Sequence, residues 1–251
     1  MMTPVFSRRS AGGERCRIAC WHLSGQSTVP RDRFAPQTQL PCHDLRSRHK
    51  ATCVAILLAA LVLAAAGVSL ACDTALMVID VQNLWLEDRD WRTIGDVHIV
   101  DAVAEVLRRG REAFLPILYI QDTSASATCA GTNRLAFPDL IAPLPEELVF
   151  EKQERNAFTN KSLRPALEAL GISRLIVCGM ASDGCVAATV SAARELDFEV
   201  IIVADAHSSG VGGRKARFMN TIWAGWGIPL PMTADIDFAS YCPASDETPA
   251  S

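Results

Sequence analysis

RLIVCGMASDGCVAATVSAARELDFEVIIVAD, residues 174–205, is the stretch whose reading decides the fold. RLIVCGM (174–180) is apolar after its opening arginine, and FEVIIVAD (198–205) is apolar apart from Glu199 and its closing carboxylate. Runs without polar alternation are buried on both faces, which is the habit of strands in parallel sheets. Between them, Asp183 to Leu196 reads as a helix. Strand, helix, strand is the crossover unit that joins parallel neighbours.

The same alternation continues outward. Upstream, TALMVID (74–80) is a continuous apolar strand ending in a carboxylate. Gly95 to Arg109 places Val97, Val100, Val103, Ala104 and Leu107 on one helical face. FLPILYIQD (114–122) is a second strand, with Pro116 near its start, where a missing N–H does least harm. ELVFEK (147–152) is a third strand, and Ser162 to Leu170 a helix closed by Gly171. Downstream, Arg214 to Trp226 is a helix, and GIPLPMT (227–233) is expected as a further strand, on an edge because of its prolines. The fold class is α/β: one three-layer domain, with a mostly parallel sheet of about six strands flanked by helices.

Charge divides the chain of 251 residues. Residues 1–71 hold nine Lys/Arg and three Asp/Glu, a balance of +6, and the remainder a balance of −10. An acidic body without a basic run excludes nucleic acid as a partner. Ala51 to Cys72 carries no charge and follows Arg46, Arg48 and Lys50. With small residues at Ser69 and Ala71, it has the pattern of a secretory signal cleaved after Ala71. The run is also long enough to span a bilayer, so a membrane anchor is the alternative, and a buried core helix another. Cys72 after Ala71 invites a lipoprotein reading, although Ser69 stands where a leucine is expected. The expected organisation is a disordered or untranslated leader over 1–50, the signal-like segment over 51–72, the folded domain over 73–240 and a flexible tail over 241–251. Export, to the periplasm or beyond, is the expected location; a cytoplasmic or membrane-anchored chain is the alternative. An exported chain would carry Cys72, Cys129, Cys178, Cys185 and Cys242 into an oxidising compartment, which sits uneasily with a reactive thiol. None of the nine cysteines forms a C-x-x-C pair, so zinc-ribbon and thioredoxin readings have no support.

In parallel sheets ligands bind beyond the carboxyl ends of strands, near the point where strand order reverses. That rule selects Asp80, Lys152 and the segment Gly179–Cys185, which follow the first, third and fourth strands. Cys185 enters a helix, where the dipole favours a thiolate and unpaired N–H groups can hold an oxyanion. A small buried core cysteine is the alternative for Cys185 and the reading adopted for Cys178. Singly, Asp80 and Lys152 read equally well as solvated strand-end charges; together with Cys185 they fall on one sheet edge.

VIDVQN, VFEKQERNAFTNKSL, GISRLIVCGMASDGCVAATVSAARELDFEVIIVADAHSS and NTIWAGWG…TADIDF, from about Thr74 to Phe238, resemble the isochorismatase-like cysteine hydrolases. The resemblance implies Cys185 as nucleophile, Asp80 as its general base and Lys152 as the cation beside both. It also implies a cis peptide at Met180–Ala181 that aims the N–H groups of Ala181 and Cys185 into an oxyanion hole. Trp85, Asn156, Phe158 and Met180 are candidates for lining the pocket, with core packing the alternative for each. Nicotinamidase-type members bind a metal through an Asp-x-His pattern and further histidines after the second strand. Here QDTSASATCAGTNRLAFPD has no histidine, so neither a metal nor another cofactor is expected. Only His98 and His207 remain in the body, and His207 is read as structural, following the fifth strand. GVGGRKA (210–216) lacks the spacing of a phosphate loop and reads as a flexible helix entry. Isochorismatases proper often lack the cysteine, so its presence points to metal-independent hydrolysis of a C–N bond in a small amide or carbamoyl compound through a thioester. Vinyl-ether hydrolysis, or an idle exported binding protein, are the alternatives. The expected partners are a small-molecule substrate and further copies of the chain in a homo-oligomer, with a membrane only through an uncleaved apolar leader.

Overall fold

Continuous apolar runs become strands covered on both sides. The computed structural model describes residues 72–86, 90–124, 132–210 and 212–242. The expected leader, the apolar segment and the tail beyond Cys242 lie outside the described residues. Among the described residues, no helix is long and apolar enough to cross a membrane. Five strands, β1 (Thr74–Ile79), β2 (Ile117–Asp122), β3 (Leu148–Lys152), β4 (Arg174–Met180) and β5 (Glu199–Ser208), form one sheet in the order β3-β2-β1-β4-β5. Every neighbouring pair is parallel. The chain steps outward from β1 through β2 to β3, then returns to place β4 on the other side of β1. The carboxyl ends of β1 and β4 are therefore the point where strand order reverses.

Period-two alternation along β1 feeds two cores. Ala75, Met77 and Ile79 enter one, with Leu163 and Leu167 of α4 (Leu163–Ala169), Val190 of α5 (Ala187–Glu195) and Trp223 of α6 (Arg214–Gly225). Leu76 and Val78 enter the other, with Val103, Val106 and Leu107 of α2 (Ile99–Glu112). Two short helices, α1 (Asn83–Leu86) and α3 (Thr132–Leu135), complete the order.

The expected sixth strand is absent, and the reason is chemical. Pro229 and Pro231 carbonyls accept from the N–H groups of Ile202 and Ala204 at 3.1 and 2.9 Å, so the segment does run along the outer edge of β5. Neither proline has an N–H to return, and no ladder closes. Helix α2 begins at Ile99 rather than Gly95, because Gly95 (φ 87°) and Asp96 (φ 62°) take left-handed conformations and leave Val97 46% exposed. Strand β5 runs on to Ser208. A register shift puts Ile202 opposite Val177 but His207 opposite Gly179, so His207 lies within the strand rather than after it.

Gly179 lets β1 and β4 approach at the reversal point. Its φ is 121°, and a Cβ there would stand 2.2 Å from the Ile79 carbonyl oxygen. Gly179→Ala is expected to destabilise the fold by about 3 kcal/mol or more, since backbone on both sides must move. A denaturation midpoint equal to that of the parent protein would contradict this.

Candidate active site

Three carboxyl ends supply the reactive groups. Asp80 follows β1 directly, in a left-handed conformation (φ 54°) that bends the chain as it leaves the sheet. Its N–H bonds the Ile120 carbonyl at 3.0 Å, and its own carbonyl accepts from Gln82 N–H at 2.8 Å. Lys152 is the last residue of β3, and its side chain reaches past β2 to Asp80. Cys185 lies in the π-helical turn Ser182–Val186 that follows β4. Lys152 Nζ stands 2.7 Å from Asp80 Oδ2 and 3.4 Å from Cys185 Sγ. Asp80 and Cys185 lie in the lining of a cavity of about 680 Å³, whose walls include Trp85, Trp91, Asp122, Met180 and Arg155.

Burial governs the charges here. It pushes the Asp80 carboxyl up to about 6 even though Lys152 pulls the other way. Burial works against the Lys152 ammonium, but Asp80, with Cys185 and Asp122, outweighs it and leaves its pKa raised. Burial and the neighbouring Asp80 push the Cys185 thiol up to about 12, against the opposing pull of Lys152. The sequence-based expectation of a thiolate stabilised by a helix start is thus reversed. The stretch divides at Gly184 (φ −125°, ψ −108°), and the regular helix α5 starts only after Cys185, at Ala187. The raised pKa favours the protonated thiol beside Asp80.

The turn before Cys185 opens with a cis peptide at Met180–Ala181. The Ala181 carbonyl accepts from Gly184 N–H at 2.9 Å and Val186 N–H at 3.2 Å. Ala181 and Cys185, at the two ends of this turn, both line the cavity. Behind the turn, fully buried His207 accepts at Nδ1 from Ser182 Oγ at 2.9 Å and donates from Nε2 to Asn220 Oδ1 at 2.7 Å. Asn220 Nδ2 donates to the Ala204 carbonyl at 3.1 Å, which fixes the amide orientation and hence this tautomer. Burial pushes the His207 pKa down to about 4, in keeping with a neutral ring that holds the turn. Asp183 is tied to Ser209 Oγ and, at 2.9 Å, to Lys215 Nζ.

Asp80, Lys152 and Cys185 therefore meet, and Met180, Ala181 and Trp85 border the same cavity. Asn156 and Phe158 do not line it. Asn156 caps a 3₁₀ turn, accepting from Phe158 N–H at 2.9 Å, and Phe158 stacks on Phe198 at 5.7 Å within the core. Several lining residues escaped the sequence reading, Asp122, Trp91 and Lys215 among them. Asp122 ends β2 as Asp80 follows β1, so the strand-end rule applied to it equally. Its backbone is clamped by fully buried Gln82, which accepts from its N–H at 2.8 Å and donates to its carbonyl at 3.1 Å. Trp91 reaches the cavity from a loop and Lys215 from the first turn of α6, and no local pattern marks them. After Asp122 stand Thr123 and Ser124, not an Asp-x-His pattern. Among the described residues, no group of three or more His, Cys, Asp or Glu could hold a metal ion.

Residues 74–224 match the isochorismatase domain. The chain is 31% identical to a streptothricin hydrolase of Streptomyces noursei over 139 residues, 54% of this chain and 49% of that protein, so it spans about half that relative's length. It is 25% identical to a ureidoacrylate amidohydrolase of Azorhizobium caulinodans over 176 residues, 55% of this chain and 78% of that protein. The crystal structure of an isochorismatase from Pseudomonas putida superposes with a TM-score of 0.57 at 25% identity, covering 69% of this chain and 97% of the other. A parallel sheet in this order, its reactive groups gathered where strand order reverses, and a domain match over most of the described body lead to one conclusion: the chain belongs to the isochorismatase family.

Proposed function

We propose that this protein hydrolyses the C–N bond of a small amide or carbamoyl compound through a thioester on Cys185. The observation that carries the reading is the cluster of Cys185 Sγ, Lys152 Nζ and the Asp80 carboxylate, with Asp80 and Cys185 opening onto one cavity. The relatives named as a streptothricin hydrolase and a ureidoacrylate amidohydrolase support it. Asp80 takes the thiol proton as Sγ attacks the carbonyl carbon, and the oxyanion forms against the N–H groups of Ala181 and Cys185. Asp80 returns the proton to the leaving nitrogen, the C–N bond breaks, and an acyl group remains on sulfur. A water gives its proton to Asp80 and attacks the thioester; the C–S bond breaks and the thiol is reprotonated. Lys152 offsets negative charge throughout. Asp122 offers a carboxylate acceptor to a substrate N–H. Incubation with a panel of amides, followed by mass spectrometry of the intact protein and assay of released ammonia, tests the reading. An acyl adduct mapped to Cys185 supports it. Turnover with no adduct under quenched-flow conditions, or activity confined to vinyl ethers, defeats it.

The pH profile follows from Asp80. With its carboxyl raised to about 6, kcat/KM is expected to fall as pH drops through that value, because the protonated acid cannot accept the thiol proton. Its folded pKa lies above the ordinary 3.8, so this group stabilises the native state most below that value. That contribution is lost as pH rises through about 6. The acid limb of activity should therefore appear without unfolding from this residue. A profile flat from pH 5 to 8, in a protein whose circular dichroism is unchanged, would remove Asp80 as the base.

A further inference from the structure

Two cysteines with no part in the proposed chemistry meet where the two ends of the described body come together. Cys72 precedes β1 and is buried, its Sγ 3.3 Å from the Thr74 carbonyl and 3.5 Å from the Tyr241 carbonyl. Cys242 follows Tyr241 directly, is half-buried, and packs against the same core cluster as Cys72. The Tyr241 carbonyl that Cys72 Sγ touches belongs to the residue directly before Cys242, which brings the two cysteines to one place. Independent contacts hold the ends in register. Arg174 Nη1 donates to Thr74 Oγ1 at 3.2 Å while its guanidinium lies over the Tyr241 ring at 5.5 Å. Phe238, at the start of the same C-terminal turn, is buried beneath the Arg109 guanidinium at 5.2 Å, and Arg109 Nη2 donates to the Ile236 carbonyl at 2.5 Å. Neither thiol must search for its partner.

We propose that Cys72 and Cys242 form a disulfide that clips the C-terminal turn to the entry of β1 when the protein meets a disulfide oxidant. The reaction is thiol–disulfide exchange with a low-molecular-weight or protein disulfide, RSSR. Cys242, the more accessible thiol, loses its proton and attacks one sulfur of RSSR. The S–S bond of RSSR breaks, one half leaves as RS⁻, and a mixed disulfide forms on Cys242. Cys72 then loses its proton and attacks the Cys242 sulfur, expelling the second RS⁻. The two protons lost by the protein appear on two RSH, so two thiols are oxidised and one disulfide of the oxidant is reduced. Burial and Cys242 push the Cys72 thiol up to about 12, which fits Cys242 as the first attacker. The other two described cysteines are placed differently. Cys178 is fully buried inside β4, and Cys185 sits against Lys152 and Asp80. An oxidising compartment thereby has a defined thiol pair to oxidise among the described cysteines. The clip closes a loop spanning nearly the whole described body, the case in which cross-linking constrains the unfolded chain most.

Full-length protein treated with oxidised glutathione, digested without reduction and analysed by mass spectrometry should yield a peptide joining Cys72 to Cys242, lighter by two hydrogens than its parts. Melting under oxidised conditions should lie about 5–10 °C above that with dithiothreitol. Cys72→Ser and Cys242→Ser should each abolish both the joined peptide and the melting difference, while Cys185 remains open to iodoacetamide in oxidised wild type. The wild-type peptide map stands even where a variant folds poorly. A map in which oxidation leaves both thiols free, pairs either with another cysteine, or shows an acyl chain on Cys72 in protein from its native host overturns the proposal.

Discussion

Cys185→Ala is expected to lower amide turnover by at least about 10³-fold while leaving the fold intact. The proposed mechanism places the entire covalent sequence on this one sulfur, and alanine offers no replacement. The structural cost is small for a definite reason. Cys185 is only partly buried, packs on the margin of the core cluster and opens onto the cavity, so truncation enlarges an existing space rather than creating a sealed void. Lys152 loses its 3.4 Å contact with sulfur but keeps Asp80 at 2.7 Å, so no charge is stranded. Near-UV circular dichroism and the melting midpoint should match the parent protein. Turnover within about tenfold of wild type would rule out covalent catalysis by this residue.

Lys152→Met is expected to do the opposite kind of damage, to both activity and stability. The pair it forms with Asp80 is almost wholly inaccessible, with side chains 1% and 3% exposed. Removing one partner of a buried ion pair costs about 3–5 kcal/mol, because the remaining charge has neither water nor counter-ion. Exposed pairs such as Arg108–Glu112 are worth far less, about 0.3–0.5 kcal/mol for helical i,i+4 spacing, and make a suitable control. With the ammonium gone, Asp80 should hold its proton to still higher pH, moving the acid limb of kcat/KM upward. Adding Asp80→Asn removes the stranded charge, so the double variant should recover much of the stability and none of the activity. Chemical denaturation of the parent, both single variants and the double variant measures this directly. If Lys152→Met unfolds at the parent's midpoint, the pair does not hold the site together as described.

What the sequence determined alone was local in origin. Apolar runs such as TALMVI and RLIVCGM bury both faces of a strand wherever they fold, and helical periodicity selects the covering helices. Asp80, Lys152 and the Cys185 turn could be named because a strand's end is a local feature, and because several motifs resemble one family in the right order. Strand order was not local. Only the return of the chain to place β4 beside β1 decides which carboxyl ends are neighbours, and therefore that Asp122 shares the cavity while Asn156 and Phe158 turn away from it. The sense of the Cys185 shift likewise depended on burial beside Asp80, which outweighs the nearby ammonium and no helix period reveals. His207 beneath the Cys185 turn, Pro229 and Pro231 along β5, and Cys72 against Tyr241 join residues far apart in the chain. Such contacts follow from how packed layers bring distant segments together, a property that no stretch of sequence contains by itself.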